Sequence, residues 1–166
     1  DERLSDNDRE VLGLTGNEQY MWEGEAMAKV AAAFDAAIPG TPTKFTEMNF
    51  YTDYSFTTAQ NPQLPDHLDR YGWRVGEVSA PEAQSNDDEA TAKAFGIDEM
   101  DWALLAQIVA EAPRELDVEQ GSVSYVFVSR DTFTEGAPLV ARIYVDGPRS
   151  SGYIVVDGQG NILAKY

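Results

Sequence analysis

A group of aromatic residues and arginines is the part of this sequence best suited to recognising a ligand. The loop 147–152 (Gly-Pro-Arg-Ser-Ser-Gly) places backbone N–H groups beside Arg149, whose guanidinium can hold a carboxylate through two hydrogen bonds. Aromatic rings next to arginine are the composition that binding hot spots favour. We therefore predict a binding site formed by Trp73, Arg149 and Tyr153. The sequence leaves open the alternative that these rings are cross-strand pairs in the core.

Catalytic residues are harder to identify. The chain has one histidine, His67, and Asp66 or Asp69 could orient it as a general base for a serine nucleophile. No Gly-x-Ser-x-Gly motif marks such a serine. Asp53, on the polar side of a predicted strand, is the least arbitrary carboxylate for acid–base chemistry. The catalytic residues therefore stay unknown, and an exposed loop position is the simpler interpretation of the histidine.

The carboxylates and glycines give no strong sign of a metal or a cofactor. The acidic run 87–89 is contiguous, whereas oxygen ligands for a hard cation must converge on one point. The segment 6–17 starts with the spacing of a calcium loop, but Val11 and Asn17 stand where that loop needs Gly and Glu. The chain has no cysteine for thiolate ligation and no glycine-rich phosphate loop. We expect no metal and no cofactor.

The charge restricts the partners. Twelve basic and 29 acidic side chains give a net charge of −17, which repels phosphate backbones and makes nucleic acid an improbable ligand. The excess is uneven, because residues 1–116 carry 23 acids and 8 bases and residues 117–166 carry 6 acids and 4 bases. An anionic or neutral partner, whether protein, peptide or glycan, is therefore repelled least by the C-terminal part.

The pattern of hydropathy and the first residue bear on location. No apolar run approaches the roughly 18 residues of a membrane-spanning helix, so we predict no transmembrane segment in this chain. The sequence starts with Asp1 rather than Met, so we interpret the chain as either a processed or a trimmed product, which leaves open a removed targeting segment and a lipid anchor on it. The absence of cysteine does not decide the compartment, since it fits an exported protein as well as a cytosolic one. We expect an extracytoplasmic protein, either secreted or anchored at the cell surface.

Two periodicities predict the elements that position these residues. Apolar residues three, four and seven apart predict helices over 17–38 and 98–112, with Phe34 and Trp102 on their buried sides. Alternation predicts a long strand over 44–58 and a further strand over 71–75. The last third reads almost entirely as strands: 122–130, 139–146, 152–157 and 162–166. The prediction is an α+β protein with two main helices packed on an antiparallel meander sheet.

Composition divides the chain into four parts. Residues 1–13 read as a flexible acidic arm, 14–79 as a helix-plus-strands half, 80–97 as an acidic linker, and 98–166 as a helix-plus-meander half. We expect the whole to form one compact domain. Each half has a helix followed by strands, so a duplicated helix-plus-sheet unit is an open alternative.

Residues 98–166 resemble a known family. A helix followed by a meander that ends in GYIVVDGQGNILAKY is similar to the PepSY and cystatin-like domains of exported bacterial proteins and lipoproteins. The resemblance implies a helix wrapped by an antiparallel sheet, an extracytoplasmic lipoprotein-like setting, and a role in binding or peptidase inhibition. It transfers no catalytic residue.

Two functions from different classes follow. The first is an extracytoplasmic, non-enzymatic binding or protein-interaction module, which the missing catalytic motifs and the resemblance favour. The second is a small hydrolase or isomerase with a cavity between a curved sheet and its helices. A deep polar cavity holding His67 or Asp53 would favour the enzyme, and a filled core beside a shallow aromatic groove would favour the binding module.

Overall fold

The computed structural model describes residues 20–166; residues 1–19, with the predicted arm 1–13, lie outside it. Three α-helices are found in the described part, α1 (Ala26–Ala37), α2 (Ala90–Lys93) and α3 (Trp102–Glu115). The strands are β1 (Phe45–Phe50), β2 (Tyr54–Gln60), β3 (Leu68–Arg74), β4 (Glu77–Val78), β5 (Glu82–Ala83), β6 (Ser122–Arg130), β7 (Leu139–Asp146), β8 (Ser151–Asp157) and β9 (Ile162–Lys165).

All nine strands form one antiparallel sheet, in the order β4-β3-β2-β1-β6-β7-β8-β9, and β5 also pairs with β3. Consecutive strands are neighbours within the meanders β1-β2-β3-β4 and β6-β7-β8-β9, and β1 pairs with β6 to join the two. The predicted α+β class with an antiparallel sheet is confirmed. The outer strands β4 and β5 have two residues each and β9 has four, so the edges of the sheet are short.

The helices lie on one face of the sheet, which we call the inner face. Helix α1 packs on β3, β4 and α3, and α3 packs on β6 and β7. Side chains from both helices and from alternate strand positions form one buried cluster, which includes Phe34, Met48, Phe50, Leu105, Val126, Ile143 and Ile154. The opposite face, which we call the outer face, has no helix packed on it among the described residues.

The predicted strand 44–58 is two strands joined by a tight turn. The backbone N–H of Tyr51 donates to the carbonyl of Tyr54, and the Ser55 hydroxyl donates to the carbonyl of Asn49. In the resulting register Asn49 lies opposite Phe56, whereas Phe50 lies opposite Ser55. The turn therefore shifts the alternation by one residue, and the aromatic residues of β2 face outward instead of joining the core.

The predicted helix 17–38 is shorter than its apolar pattern suggests. A 3₁₀ turn at Tyr20–Trp22 precedes it, Gly24 has a φ of +55°, and the α-helix starts at Ala26. A left-handed glycine interrupts the helical backbone, so the buried side chains before it belong to a separate turn. Residues 17–19 of the predicted helix lie outside the described residues.

Residues 80–97, predicted as a linker, contain β5 and α2, and a 3₁₀ turn at Ile97–Glu99 begins at their end. The segment is attached to the sheet, because the backbones of Phe95 and Phe45 exchange two hydrogen bonds and their rings pack 5.9 Å apart. Ala90 and Phe95 are buried. Among residues 20–166, no helix has the length and hydropathy needed to cross a membrane.

Candidate binding surface

Six tyrosines form a continuous stack across the outer face, which we call the tyrosine ladder. Its members, in order across the sheet, are Tyr54, Tyr51, Tyr125, Tyr144, Tyr153 and Tyr166. Successive ring centroids lie 4.7, 5.6, 4.2, 5.1 and 4.7 Å apart, with interplanar angles from 8° to 25°. These are offset-stacked aromatic pairs, repeated from strand to strand.

The register of the strands explains the ladder. Tyr144 lies directly opposite Tyr125 on one side and Tyr153 on the other, so the three side chains share one face. Tyr166 exchanges two backbone hydrogen bonds with Tyr153 and continues the row beyond β9. Each interior ring therefore has a ring on both sides and is partly buried. Tyr166, at the end, is 67% exposed.

Two arginines of β3 lie at the other end of the ladder. The Arg70 guanidinium carbon lies 3.9 Å from the centroid of Phe56, and that of Arg74 lies 5.2 Å from the centroid of Tyr54. Both are cation–π contacts. On the neighbouring strands, Glu82 is the register partner of Arg70 and Glu77 is the register partner of Arg74. Each arginine therefore stands between an aromatic ring and a glutamate position.

These residues line an open groove of about 720 Å³, which we call the arginine groove. Gly72 lies between the two arginines along β3, and a Cβ there would come only to 3.4 Å from the Ser79 hydroxyl. The backbone N–H of Gly72 donates to that hydroxyl and the Ser79 N–H donates back to the Gly72 carbonyl. The missing side chain leaves a gap on the outer face between two fixed guanidinium groups.

A second groove, of about 810 Å³, lies beside the start of α3 and contains several carboxylates. Two of these groups are already engaged: Arg130 donates to Glu99, and Asp101 accepts from the Leu104 N–H as a helix cap. Burial pushes the pKa of Glu99 upward, but the Gly96 N–H and Arg130 outweigh it and hold the pKa below its usual range. We assign this groove a structural role at the helix start.

The structure does not bring the three predicted site residues together. Trp73 is 3% exposed on the inner face of β3, where it joins the core. Tyr153 is a member of the tyrosine ladder on β8, five strand positions away in the sheet. Arg149 is exposed in the turn between β7 and β8, in which the Gly147 N–H donates to the Ser150 carbonyl. Only Arg149 and Tyr153 belong to one region of the surface.

The other candidates lie apart from one another. His67 is about half exposed in the loop before β3, and its nearest carboxylate oxygen, on Asp66, is 4.0 Å from Nε2. Asp53 lies in the turn between β1 and β2. The Asp87 carboxylate of the acidic run accepts from the Lys93 ammonium at 2.7 Å. Across residues 20–166 no group of three or more His, Asp or Glu side chains could hold a metal ion.

Burial and neighbouring phenols change the acidity of one ladder residue. Desolvation, a hydrogen bond with Tyr144 and nearby acidic groups raise the pKa of Tyr125 to about 12. Folding therefore favours the neutral phenol of this residue. The resulting stability is fully present below the pKa of an unfolded tyrosine, near 10, and is lost as the pH rises towards 12.

We expect this residue to be visible in an alkaline titration. Phenolate absorbance should show a tyrosine ionising near pH 12, and the free energy of unfolding should fall between about pH 10 and pH 12. The Tyr125→Phe variant should lack that late ionisation and part of the fall. If its titration is the same as that of the parent chain, the shifted group is another tyrosine.

The fold and the surface define an α+β protein with one covered sheet face and one open, aromatic sheet face. No family model matches the chain, and no curated protein matches it. Among solved structures, the chain is similar to a protein of Clostridium difficile 630 described as a "putative lipoprotein". The two share 12% sequence identity with a TM-score of 0.55, over 75% of this chain and 82% of that one. At this identity the likeness is one of fold.

Proposed function

We propose that this chain is an extracytoplasmic, non-enzymatic binding module whose ligand occupies the arginine groove. The observation that carries the proposal is the Arg70 guanidinium stacked on Phe56 at the wall of that groove. Stacking uses one face of the guanidinium and leaves its in-plane N–H groups available for a bidentate carboxylate. Among residues 20–166, Arg70 has no ion pair with a carboxylate.

The groove favours a ligand that combines a carboxylate with hydrogen-bond donors. A chain of net charge −17 repels anions over most of its surface, whereas two guanidinium groups flank this gap. Glu77 and Glu82 line the same groove and can accept from N–H or hydroxyl groups. Acidic peptides and acidic glycans both meet these requirements.

The extracytoplasmic location is part of the proposal. The structural neighbour from Clostridium difficile carries the word lipoprotein in its description, which supports a similar setting for this chain. The resemblance of residues 98–166 to PepSY and cystatin-like domains, which stays a prediction, supports the same setting and a binding role. A lipid anchor on a removed N-terminal segment also stays a prediction.

Binding should depend on Arg70. Titration calorimetry with a short oligoglutamate peptide and, separately, with an oligogalacturonate would identify which source of carboxylate binds. For the one that binds, we expect Arg70→Ala to raise the Kd by about tenfold to a hundredfold, as expected for loss of a charged hydrogen-bond pair. Gly72→Val should have a similar effect by filling the gap, since its first carbon meets no backbone atom closer than 3.9 Å.

Arg149→Ala is the matched control, because it removes the same charge from an exposed turn at the far side of the sheet. We expect this variant to bind as the parent chain does. If Arg149→Ala weakens binding and Arg70→Ala does not, the site lies at the β7–β8 turn with Arg149 and Tyr153, as the sequence predicted. Absence of binding by both probes would contradict a carboxylate site.

The duplicated unit also stays a proposal. Its support is topological: α1 is followed by the meander β1-β2-β3, α3 is followed by β6-β7-β8, and the two meanders meet through β1 and β6. Among residues 20–166, His67 and Asp53 lie in separate loops and line neither the arginine groove nor the groove beside α3, so these two grooves give no support to the hydrolase or isomerase alternative.

A further inference from the structure

The tyrosine ladder has a property that binding does not require: it is an unbroken row of phenols. Six redox-active rings follow one another with centroid separations between 4.2 and 5.6 Å, from Tyr54 beside β3 to Tyr166 beyond β9. No residue of another type interrupts them. The chain has no cysteine, so no thiol competes for an oxidising equivalent.

The ladder also has a direction. Its interior members are partly buried, and a charge formed on them loses hydration. Tyr166 is 67% exposed and can release its phenolic proton to water when it loses an electron. A neutral phenoxyl radical is therefore formed most easily at this end. Contact between rings supplies the path, and the exposed end supplies the proton acceptor.

We infer that the ladder conducts one-electron oxidising equivalents to Tyr166, where two copies of the chain become cross-linked. The oxidant is a strong one-electron acceptor, such as a peroxidase ferryl haem or a photogenerated Ru(III) complex. Each Tyr166 phenol gives one electron to the ladder, and through it to the oxidant, and one proton to water. The two phenoxyl radicals form a carbon–carbon bond between positions ortho to oxygen, and the two ring hydrogens move to the oxygens to give dityrosine.

The absence of cysteine allows the oxidant to be placed at the far end. A Glu77→Cys substitution introduces one thiol at an exposed position on β4, opposite Arg74, and a ruthenium tris-bipyridine maleimide will label it uniquely. Seven strand spacings separate β4 from β9, roughly 30 Å, which is too far for direct contact between the label and Tyr166. The full 166-residue chain is illuminated with persulfate as the sacrificial acceptor.

We expect dityrosine fluorescence and a covalent dimer whose cross-link maps to Tyr166 by mass spectrometry. Tyr166→Phe should abolish the dimer. Tyr144→Phe keeps a ring in the stack but removes an oxidisable phenol from the middle, and the dimer should be lost there too. Tyr71→Phe is the matched control, because Tyr71 is a buried tyrosine outside the ladder, and it should leave the yield unchanged.

Two measurements distinguish electron transfer through the ladder from direct oxidation of the exposed Tyr166 ring. A nitroso spin trap should form its adduct at Tyr166 with a yield that does not change when the protein is diluted, because the transfer is intramolecular. Circular dichroism will verify that Tyr144→Phe is folded. If that folded variant gives the parent yield, or if the products lie at Tyr54 or Trp73 beside the label, the inference is wrong and the ladder only stabilises the sheet.

Discussion

Replacing Phe34 by Ala should lower the free energy of unfolding by about 3–5 kcal/mol. Phe34 is 0% exposed and is among the largest fully buried side chains, on the face of α1 that packs against the sheet. Helix α1 also packs on α3, so a cavity at this position faces two elements and cannot close by a shift of one of them. The loss should therefore include a full cavity contribution in addition to the transfer free energy of the ring.

Urea denaturation followed by far-ultraviolet circular dichroism will measure this loss. Lys29→Ala on the exposed side of the same helix is the matched control and should change stability by less than about 0.5 kcal/mol. A fall of less than 1 kcal/mol for Phe34→Ala would mean that α1 contributes little to the core. The slope of the transition should stay constant if the change acts on the folded state.

The core of this protein was predictable because burial on one side imposes a period on the sequence. The apolar stripe of α1 identified Phe34 correctly, and the alternation in β6 groups Val126 and Val128 on one face, which the structure buries. Trp102, predicted as a second core anchor, is only partly buried: its indole N–H donates to the Ile97 carbonyl and its ring packs edge-on against Phe50. A polar atom with a nearby backbone partner kept this ring at the margin of the core.

The candidate site was not predictable in the same way. Tyr54 and Phe56 continue the alternation of β1, so the sequence places them on the same face as Met48 and Phe50. The turn at residues 51–54 reverses that phase, and the ring of Tyr51 stacks between Tyr54 and Tyr125 on the outer face. Alternation within a strand carries no information about a phase shift in a turn, and the row becomes visible only when strand register is known.

Trp73 and its neighbour Arg74 show how one strand separates two adjacent residues. An aromatic residue beside Arg74 looks like part of a recognition surface, but adjacent residues of a strand point to opposite faces. Arg74 faces outward over Tyr54, and Trp73 faces the helices. The arginine groove therefore uses the guanidinium of Arg74, whereas Trp73, which also lines the groove, belongs to the core. Arg70 lies four residues earlier on the same side of the strand, and no feature of the sequence marked it as a binding residue.

Replacing Tyr144 by Ala should lower the free energy of unfolding by about 2–4 kcal/mol. Its ring contacts Tyr125 at 4.2 Å and Tyr153 at 5.1 Å, and each stacked pair contributes about 0.5–1.5 kcal/mol beyond the area it buries. Removal of a large, partly buried side chain adds about 1.5–3 kcal/mol when burial is complete and less here. No helix of the described structure covers the ladder, so its rings are shielded mainly by one another. The loss of one ring therefore has a large effect for an outer-face position.

Tyr144→Phe is the control that separates the ring from the hydroxyl, and it should cost less than about 1 kcal/mol because both stacked contacts remain. Denaturant titrations of the two variants, with near-ultraviolet circular dichroism as a second probe, will measure the difference. Equal losses would show that the hydrogen bond with Tyr125 dominates, and a loss below 1 kcal/mol in both would show that the neighbouring rings close the gap.

The outcome also bears on how one face of a broad sheet can stay open. A sheet normally buries each apolar face against a second layer. Here the outer face stacks its aromatic side chains on one another along the hydrogen-bonding direction, so each ring is shielded by its neighbours rather than by another element. If Tyr144→Ala is as destabilising as we expect, the ladder replaces the missing layer, and the groove at its end is held rigid by the same contacts that stabilise the sheet.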